Sequence, residues 1–348
     1  MSSIPATTKA IGITRQGYSL HTPDHTGDYD VIEKSSCLTP SDIVVKTEYL
    51  GINFIDTGLY PLKEFLPSLE QKHLGLSSLC PQTPLLWEDP EFKKRGYTVG
   101  ARVSVGGGGL FGVHSQYMSA PWKSVHVLPS SISLQIGAAA LLQGMTALSF
   151  VEEAYNVQKG DTILVHTVAG GLGLLFAQLI KARGATVIGT TSTKEKAALA
   201  KAHGADHVIM YKEEDTVQRV LEITNGVGVD AVYDGVGKDT FDNNFKLLKR
   251  KGTLVSVGNA SGAVPPFAPI KLVEKNLKLL RPTVSNYALT PQELYHYTTE
   301  LYGLIAANTL KIQVFKEYPF TAEGAVQAQK DLTGGRTTGK LLIKVSDE

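Results

Sequence analysis

The chain has 348 residues and is 43% hydrophobic, which allows two domains with substantial cores. Lys plus Arg number 34 and Asp plus Glu 33; this balance argues against nucleic acid or an anionic membrane as a broad electrostatic partner, though a local basic groove, and so RNA, stays open. Only Cys37 and Cys80 occur, too few for a four-cysteine zinc site or a disulfide framework, and a reducing compartment fits best. The first residues lack the basic start and apolar run of a secretory signal. No apolar stretch reads as approaching the ~20 residues that cross a bilayer. A cytoplasmic enzyme is the expectation.

Residues 1–130 read as mostly strand. The segment 44–49 alternates as a half-buried strand, and 99–105 and 116–120 read as further strands. Gly and Pro punctuate them, the pattern of a compact barrel-like domain.

From 131 the pattern changes to alternating strand and helix. A helix is expected over 138–155, then a short apolar strand over 162–165. The glycine turn Thr167-Val168-Ala169-Gly170-Gly171-Leu172-Gly173 follows and leads into a helix. Strand, glycine turn and helix form the physical recipe for holding a diphosphate: the backbone turns tightly and the helix offers unpaired N–H groups. The run is a relative of GxGxxG without its first glycine, and such turns also serve plain packing.

The next strand, 186–190, ends in Thr191-Ser192-Thr193-Lys194-Glu195-Lys196. An NAD site carries an acid near this point, to bind the ribose hydroxyls. Here hydroxyls and lysines stand instead, and they suit a 2′-phosphate, so NADPH is favoured over NADH. The bland alternative for Lys194 and Lys196 is a solvated helix start, although lysines there oppose the helix dipole.

Helices are then expected at 194–202, 216–224 and 240–248, with strands at 207–210, 231–233 and 253–257. This order predicts a doubly wound parallel sheet. Two more strand ends carry glycine turns, at Asp234–Gly237 and Gly258–Gly262. After 281 come a helix at 292–308, with packing tyrosines at 295, 297 and 302, a strand at 313–320, a helix at 321–332 and a strand at 339–345. This tail is read as completing the first domain, giving divisions at 1–130, 131–280 and 281–348.

Several separate stretches resemble one family: Gly51-Ile52-Asn53-Phe54-Ile55-Asp56-Thr57, Leu141-Leu142-Gln143-Gly144-Met145-Thr146-Ala147, the glycine turn, Tyr233–Gly237, Gly258–Gly262, Arg281-Pro282 and Arg336-Thr337-Thr338-Gly339-Lys340. Together they resemble the zeta-crystallin-like NADPH:quinone oxidoreductases of fungal type, zinc-free members of the medium-chain dehydrogenase/reductase superfamily. The resemblance implies an α/β fold, with a GroES-like β-barrel domain and a Rossmann domain flanking a cofactor cleft, and a homodimer. It implies Asn53 and Thr146 near the nicotinamide. It sets Ser192, Lys196, Tyr211 and Arg336 around the 2′-phosphate. Val257, Gly258, Asn259 and the stretch 280–282 would line the cofactor. Zinc relatives carry a cysteine where Asn53 stands, so no metal is expected. Tyr60 or Asn53 could hydrogen-bond the acceptor oxygen as charge builds. The acceptor would be a quinone or another small electrophile.

Residues 57–88 depart from the family pattern: the chain is a few residues short after Asp56-Thr57, and no alternating strand is visible up to Trp87. A weakened first domain is expected, and cofactor binding is safer than catalysis. Two alternatives follow: reduction of an activated carbon–carbon double bond, or a cofactor-binding, catalytically weak crystallin-like or RNA-binding protein.

Overall fold

The computed structural model describes residues 7–13, 29–35, 42–53, 90–106 and 115–345. Two compact units divide the chain: residues 1–139, 316–337 and 341–348 form one, and 140–315 with 338–340 the other.

The first unit is built from small antiparallel sheets. Strand β1 (Thr7–Ile13) pairs with β2 (Tyr29–Ser35). The single strand expected over 44–49 is two strands, β3 (Asp42–Lys46) and β4 (Tyr49–Ile52). The chain changes partners between them: the Thr47 N–H reaches the Gln116 carbonyl at 2.8 Å, whereas the Glu48 carbonyl accepts from Val345 at 2.8 Å. After helix α1 (Pro90–Lys94), β5 (Val103–Val105) starts later than expected. A turn closed by Ala101 N–H on the Thr98 carbonyl, with Gly100 at φ +81°, occupies the first half of that stretch. Strand β6 (Tyr117–Pro121) pairs with β3, and β7 (Val125–Val127) with β5. Phe92, Tyr97, Ala120, Trp122 and Val125 bury themselves together beside these strands.

Helix α2 (Leu134–Ser149) runs on through one π-helical turn, Phe150–Ala154. The whole run of 21 residues is long and apolar enough to cross a membrane by length and composition, which corrects the expectation that no stretch comes close. Most of it is buried against protein, the environment of a core helix: Phe150 meets the Phe176 ring at 6.5 Å, and Leu301 fills the space that a side chain at Gly144 would need.

The second unit is a six-stranded sheet: β8 (Thr162–Val165), β9 (Thr186–Thr191), β10 (His207–Met210), β11 (Val229–Asp234), β12 (Leu248–Ser256) and β13 (Lys278–Leu280). Their order across the sheet is β10-β9-β8-β11-β12-β13, every pair parallel. The order reverses between β8 and β11, and a ligand crevice forms beyond the strand ends at such a point. Helices α3 (Gly171–Ala182), α4 (Lys194–Ala202), α5 (Thr216–Ile223) and α6 (Phe241–Leu247) make the crossovers. Strands buried on both faces need apolar residues on both: Leu164, Ile188, Val232 and Leu254 pack in one cluster with helix side chains, while the Tyr233 ring lies 4.6 Å from that of Phe176.

Helices α7 (Val284–Tyr287) and α8 (Pro291–Ala306) also lie in this unit, and Leu301 of α8 packs against Gly144 of α2. Strand β14 (Val314–Pro319), helix α9 (Ala322–Thr333) and strand β15 (Lys340–Lys344) follow. The sheet β14-β15-β4 and α9 enclose Leu50, Ile52, Tyr318, Ala325, Leu341 and Ile343.

Candidate functional site

The turn between β8 and α3 sits at the point where the strand order reverses. Thr167, where the first glycine of the motif is missing, takes φ +54°. Gly170 caps α3 with φ −74° and ψ 167° and makes no side-chain cap hydrogen bond. The first N–H groups of the helix, on Gly171, Leu172 and Gly173, have no partners within it and carry the positive end of the dipole. The glycines are required by contact. A Cβ on Gly173 would lie 2.4 Å from the Thr167 carbonyl oxygen, and one on Gly171 would lie 2.5 Å from Gln143 Oε1 and 2.9 Å from the Gly339 oxygen. Val168 and Ala169 are buried, and the Val168 N–H is held by the Thr190 carbonyl at 3.0 Å.

At the end of β9, Thr193 caps α4 and accepts the Lys196 N–H. Ser192 is half-buried beside it. Strand β10 lies against β9, and the Tyr211 N–H reaches the Thr191 carbonyl at 3.1 Å, which brings residues 211–212 alongside 191–196. The Lys196 ammonium is held below the usual lysine range, first by burial and then by the Lys212 charge. Two like charges brought together at a strand end make a place suited to a phosphate.

The other two glycine turns interlock. The N–H groups of Val257 and Gly258 both donate to the Asp234 carbonyl, at 2.7 and 3.0 Å. A Cβ on Gly258 would lie 2.9 Å from the Gly235 oxygen, and one on Gly237 2.9 Å from Asn259 Cα. Arg281 donates to the Ser256 carbonyl and hydroxyl at 3.0 and 3.1 Å, fixing β13 to the end of β12.

The remaining candidates belong to different units. Thr146 lies in the second unit, and its hydroxyl donates back to the Leu142 carbonyl at 2.7 Å, one turn earlier on the same helix. Asn53 directly follows β4 in the first unit, its amide donating to the Gly51 carbonyl at 3.1 Å. Arg336 is exposed in the first unit, after α9. Tyr60 and the atypical residues 57–88 lie outside the described residues.

Sequence reasoning passed over four residues here. Gln143 and Gly339 stood inside quoted motifs without a role, yet they lie over the N-terminus of α3, where Gly170 and Gly339 form a parallel bridge. Lys212 lay beyond the stretch searched for phosphate ligands. His166, buried just after β8, stood between the strand read at 162–165 and the glycine turn and was given no role.

Comparison with known proteins follows this geometry. The family model described as zinc-binding dehydrogenase matches residues 171–300. The quinone oxidoreductase of Pseudomonas aeruginosa is 38% identical over 87% of this chain and 91% of its own. The crystal structure of Escherichia coli quinone oxidoreductase complexed with NADPH superposes with a TM-score of 0.81 at 30% identity, covering 98% of this chain and all of that one. A more distant relative, the 2-haloacrylate reductase of a Burkholderia species, is 31% identical over 87% of this chain and 91% of its own. Its fold is therefore the GroES-like and Rossmann pairing of those proteins, and the chain belongs to the quinone oxidoreductases of the medium-chain dehydrogenase/reductase superfamily.

Proposed function

We propose that the chain reduces quinones at the expense of NADPH. The observation that carries this reading is the glycine turn at the strand-order reversal, which has no side-chain cap, with a lysine pair at the neighbouring strand end. The residues fit the cofactor: the α3 amides face no side-chain cap, and Gly170, Gly171 and Gly173 allow a tight backbone turn in which a Cβ would meet Thr167, Gln143 or Gly339. Gly171, Leu172 and Gly173 would hold the diphosphate. Ser192, Lys196, Lys212 and Tyr211 would hold the 2′-phosphate. Val257, Gly258 and Asn259 would line the rest.

NADPH supplies the hydride when bound. The chain's own work is to hold and orient: its backbone donors are already aimed and bind charge without reorganising. Asn53, Tyr60, Thr146 and Arg336 are proposed as further site residues on the family resemblance, and single substitutions test each. A quinone spreads the developing negative charge over its ring, so no metal is proposed. A homodimer, a zeta-crystallin-like subclass and a cytoplasmic location belong to the same proposal.

Titration with NADPH and NADH, followed by an acceptor panel, tests the function. NADPH oxidation should be faster with a benzoquinone than with an enone. The likeness to a haloacrylate reductase favours double-bond reduction as the second reading, and a faster enone reaction would put it first.

A further inference from the structure

The crevice end of the sheet holds a connected set of buried polar side chains that the reading above does not use. His166, Thr190, Asp234 and Asn244 are each 5% exposed or less. They sit at the ends of β8, β9 and β11 and on α6, directly under the strand-order reversal. The Asp234 carboxylate accepts from Val236 N–H at 2.8 Å, Gly237 N–H at 3.2 Å, the Thr240 hydroxyl at 2.8 Å and Asn244 Nδ2 at 2.8 Å. With its amide nitrogen facing the carboxylate, Asn244 turns Oδ1 toward His166 Nε2 at 2.9 Å. An amide oxygen only accepts, so Nε2 carries the hydrogen. In the neutral ring Nδ1 is bare, and the Thr190 hydroxyl donates to it at 3.0 Å. A Thr190 Oγ1 lone pair receives the Thr167 N–H at 3.4 Å, and the Thr190 carbonyl receives the Val168 N–H at 3.0 Å. One end of this chain is a backbone donor and the other a carboxylate, so every hydrogen in between has one direction.

The donor end is the informative one. Thr167 holds a left-handed backbone conformation that a threonine adopts only when its surroundings impose it. Thr167 opens the diphosphate turn, and Asp234 organises the neighbouring glycine turn. We propose that His166 is a positioning residue that transmits the geometry of the Asp234 turn to Thr167, holding both turns in the register that receives the cofactor. This inference rests on the NADPH reading. It concerns the diphosphate part, which NADPH and NADH share, so its loss must weaken both cofactors alike. That separates it from any residue acting on the 2′-phosphate.

The test is fluorescence titration of the full-length protein with NADPH and with NADH, below the unfolding temperature of each variant. Thr190→Val removes one hydroxyl at nearly constant volume, and His166→Leu removes the relay. Each should weaken both cofactors by about tenfold, the scale of a buried hydrogen bond left half-made. The KM for NADPH should carry the change, while the KM for quinone and the kcat at saturation hold. Thr190→Ser restores the hydroxyl and should restore affinity. A folded Thr190→Val protein with wild-type affinity for both cofactors overturns the proposal, as does failure of serine to rescue. If His166→Leu does not fold, the valine and serine pair decides alone. Failure of the wild-type protein to bind either cofactor would instead sink the reading on which this rests.

Discussion

His166 and His126 are buried to nearly the same degree, 5% and 4% exposed, one in each unit, and their surroundings are opposite. His166 has a partner on each ring nitrogen, and those partners continue into the turns of the candidate site. His126, on β7, meets the backbone of Gly106 with one nitrogen, and its Nε2 has no hydrogen-bond partner among the described residues. Burial and the nearby Arg95 charge push the His126 imidazole down to about 4. Burial alone therefore says little about a histidine. A neutral ring in an apolar sheet tolerates one unmade bond at some cost in stability, whereas a ring wired at both nitrogens orders whatever lies at the two ends of the wire.

The strongest way to break the His166 side is to deform the turn it serves. Gly173→Ala places a Cβ 2.4 Å from the Thr167 oxygen and 2.8 Å from Val168 backbone atoms, with no flexible side chain to give way. We expect about 3 kcal/mol or more of lost binding for NADPH and NADH together, the upper range for overpacking a tight site. Calorimetric titration checks it, and retained wild-type affinity for either cofactor would remove the turn from the site.

The His126 side is tested by acid. Unfolded chain binds a proton near pH 6.5, whereas the folded imidazole refuses it until about pH 4. The unfolded state therefore holds more protons across that window, and stability falls as pH drops from 6.5 toward 4. Integrated over the shift this amounts to about 3 kcal/mol. His126→Leu should flatten that part of the profile and cost little at pH 7, since it removes an unpaired polar atom. Urea midpoints followed through the fluorescence of the buried Trp122 would show it. A slope unchanged by the substitution would mean that another group carries the acid sensitivity.

The same contrast explains what could be read from the sequence. The sheet was legible because its strands are short apolar runs ended by glycines: α4 and β10 fall on the residues expected, 194–202 and 207–210. Strand β13 was missed, since three residues at a sheet edge, Lys278–Leu280, carry no period. The glycine turn after β8 was legible as a strand–turn–helix junction because glycine content reports backbone crowding directly. The wiring of His166 was not, because its partners stand 24 and 78 residues away, and the alignment of three strand ends is what assembles them. Lys212 was hidden for a related reason. Followed by Glu213 and Glu214, it reads as a solvated charge until β10 is laid beside β9.

Lys196 and Lys212 supply a second and smaller contrast, between charge read by side chains and charge read by backbone. Burial and the Lys212 charge both disfavour the Lys196 ammonium, and a bound phosphate dianion would offset both penalties. Lys196→Ala should weaken NADPH by roughly 1.5–3 kcal/mol, the worth of a charged hydrogen bond, and leave NADH nearly unchanged. Lys212 is exposed and its charge is screened, so Lys212→Ala should cost NADPH about threefold, less at high salt. Equal weakening of both cofactors by Lys196→Ala would remove it from the 2′-phosphate role and place its effect on the turn, where Thr190→Val acts. On the proposed assignment, selectivity between the cofactors would reside in two lysine ammonium groups at a strand end, and affinity for what the cofactors share would reside in backbone amides whose aim is set by buried side chains.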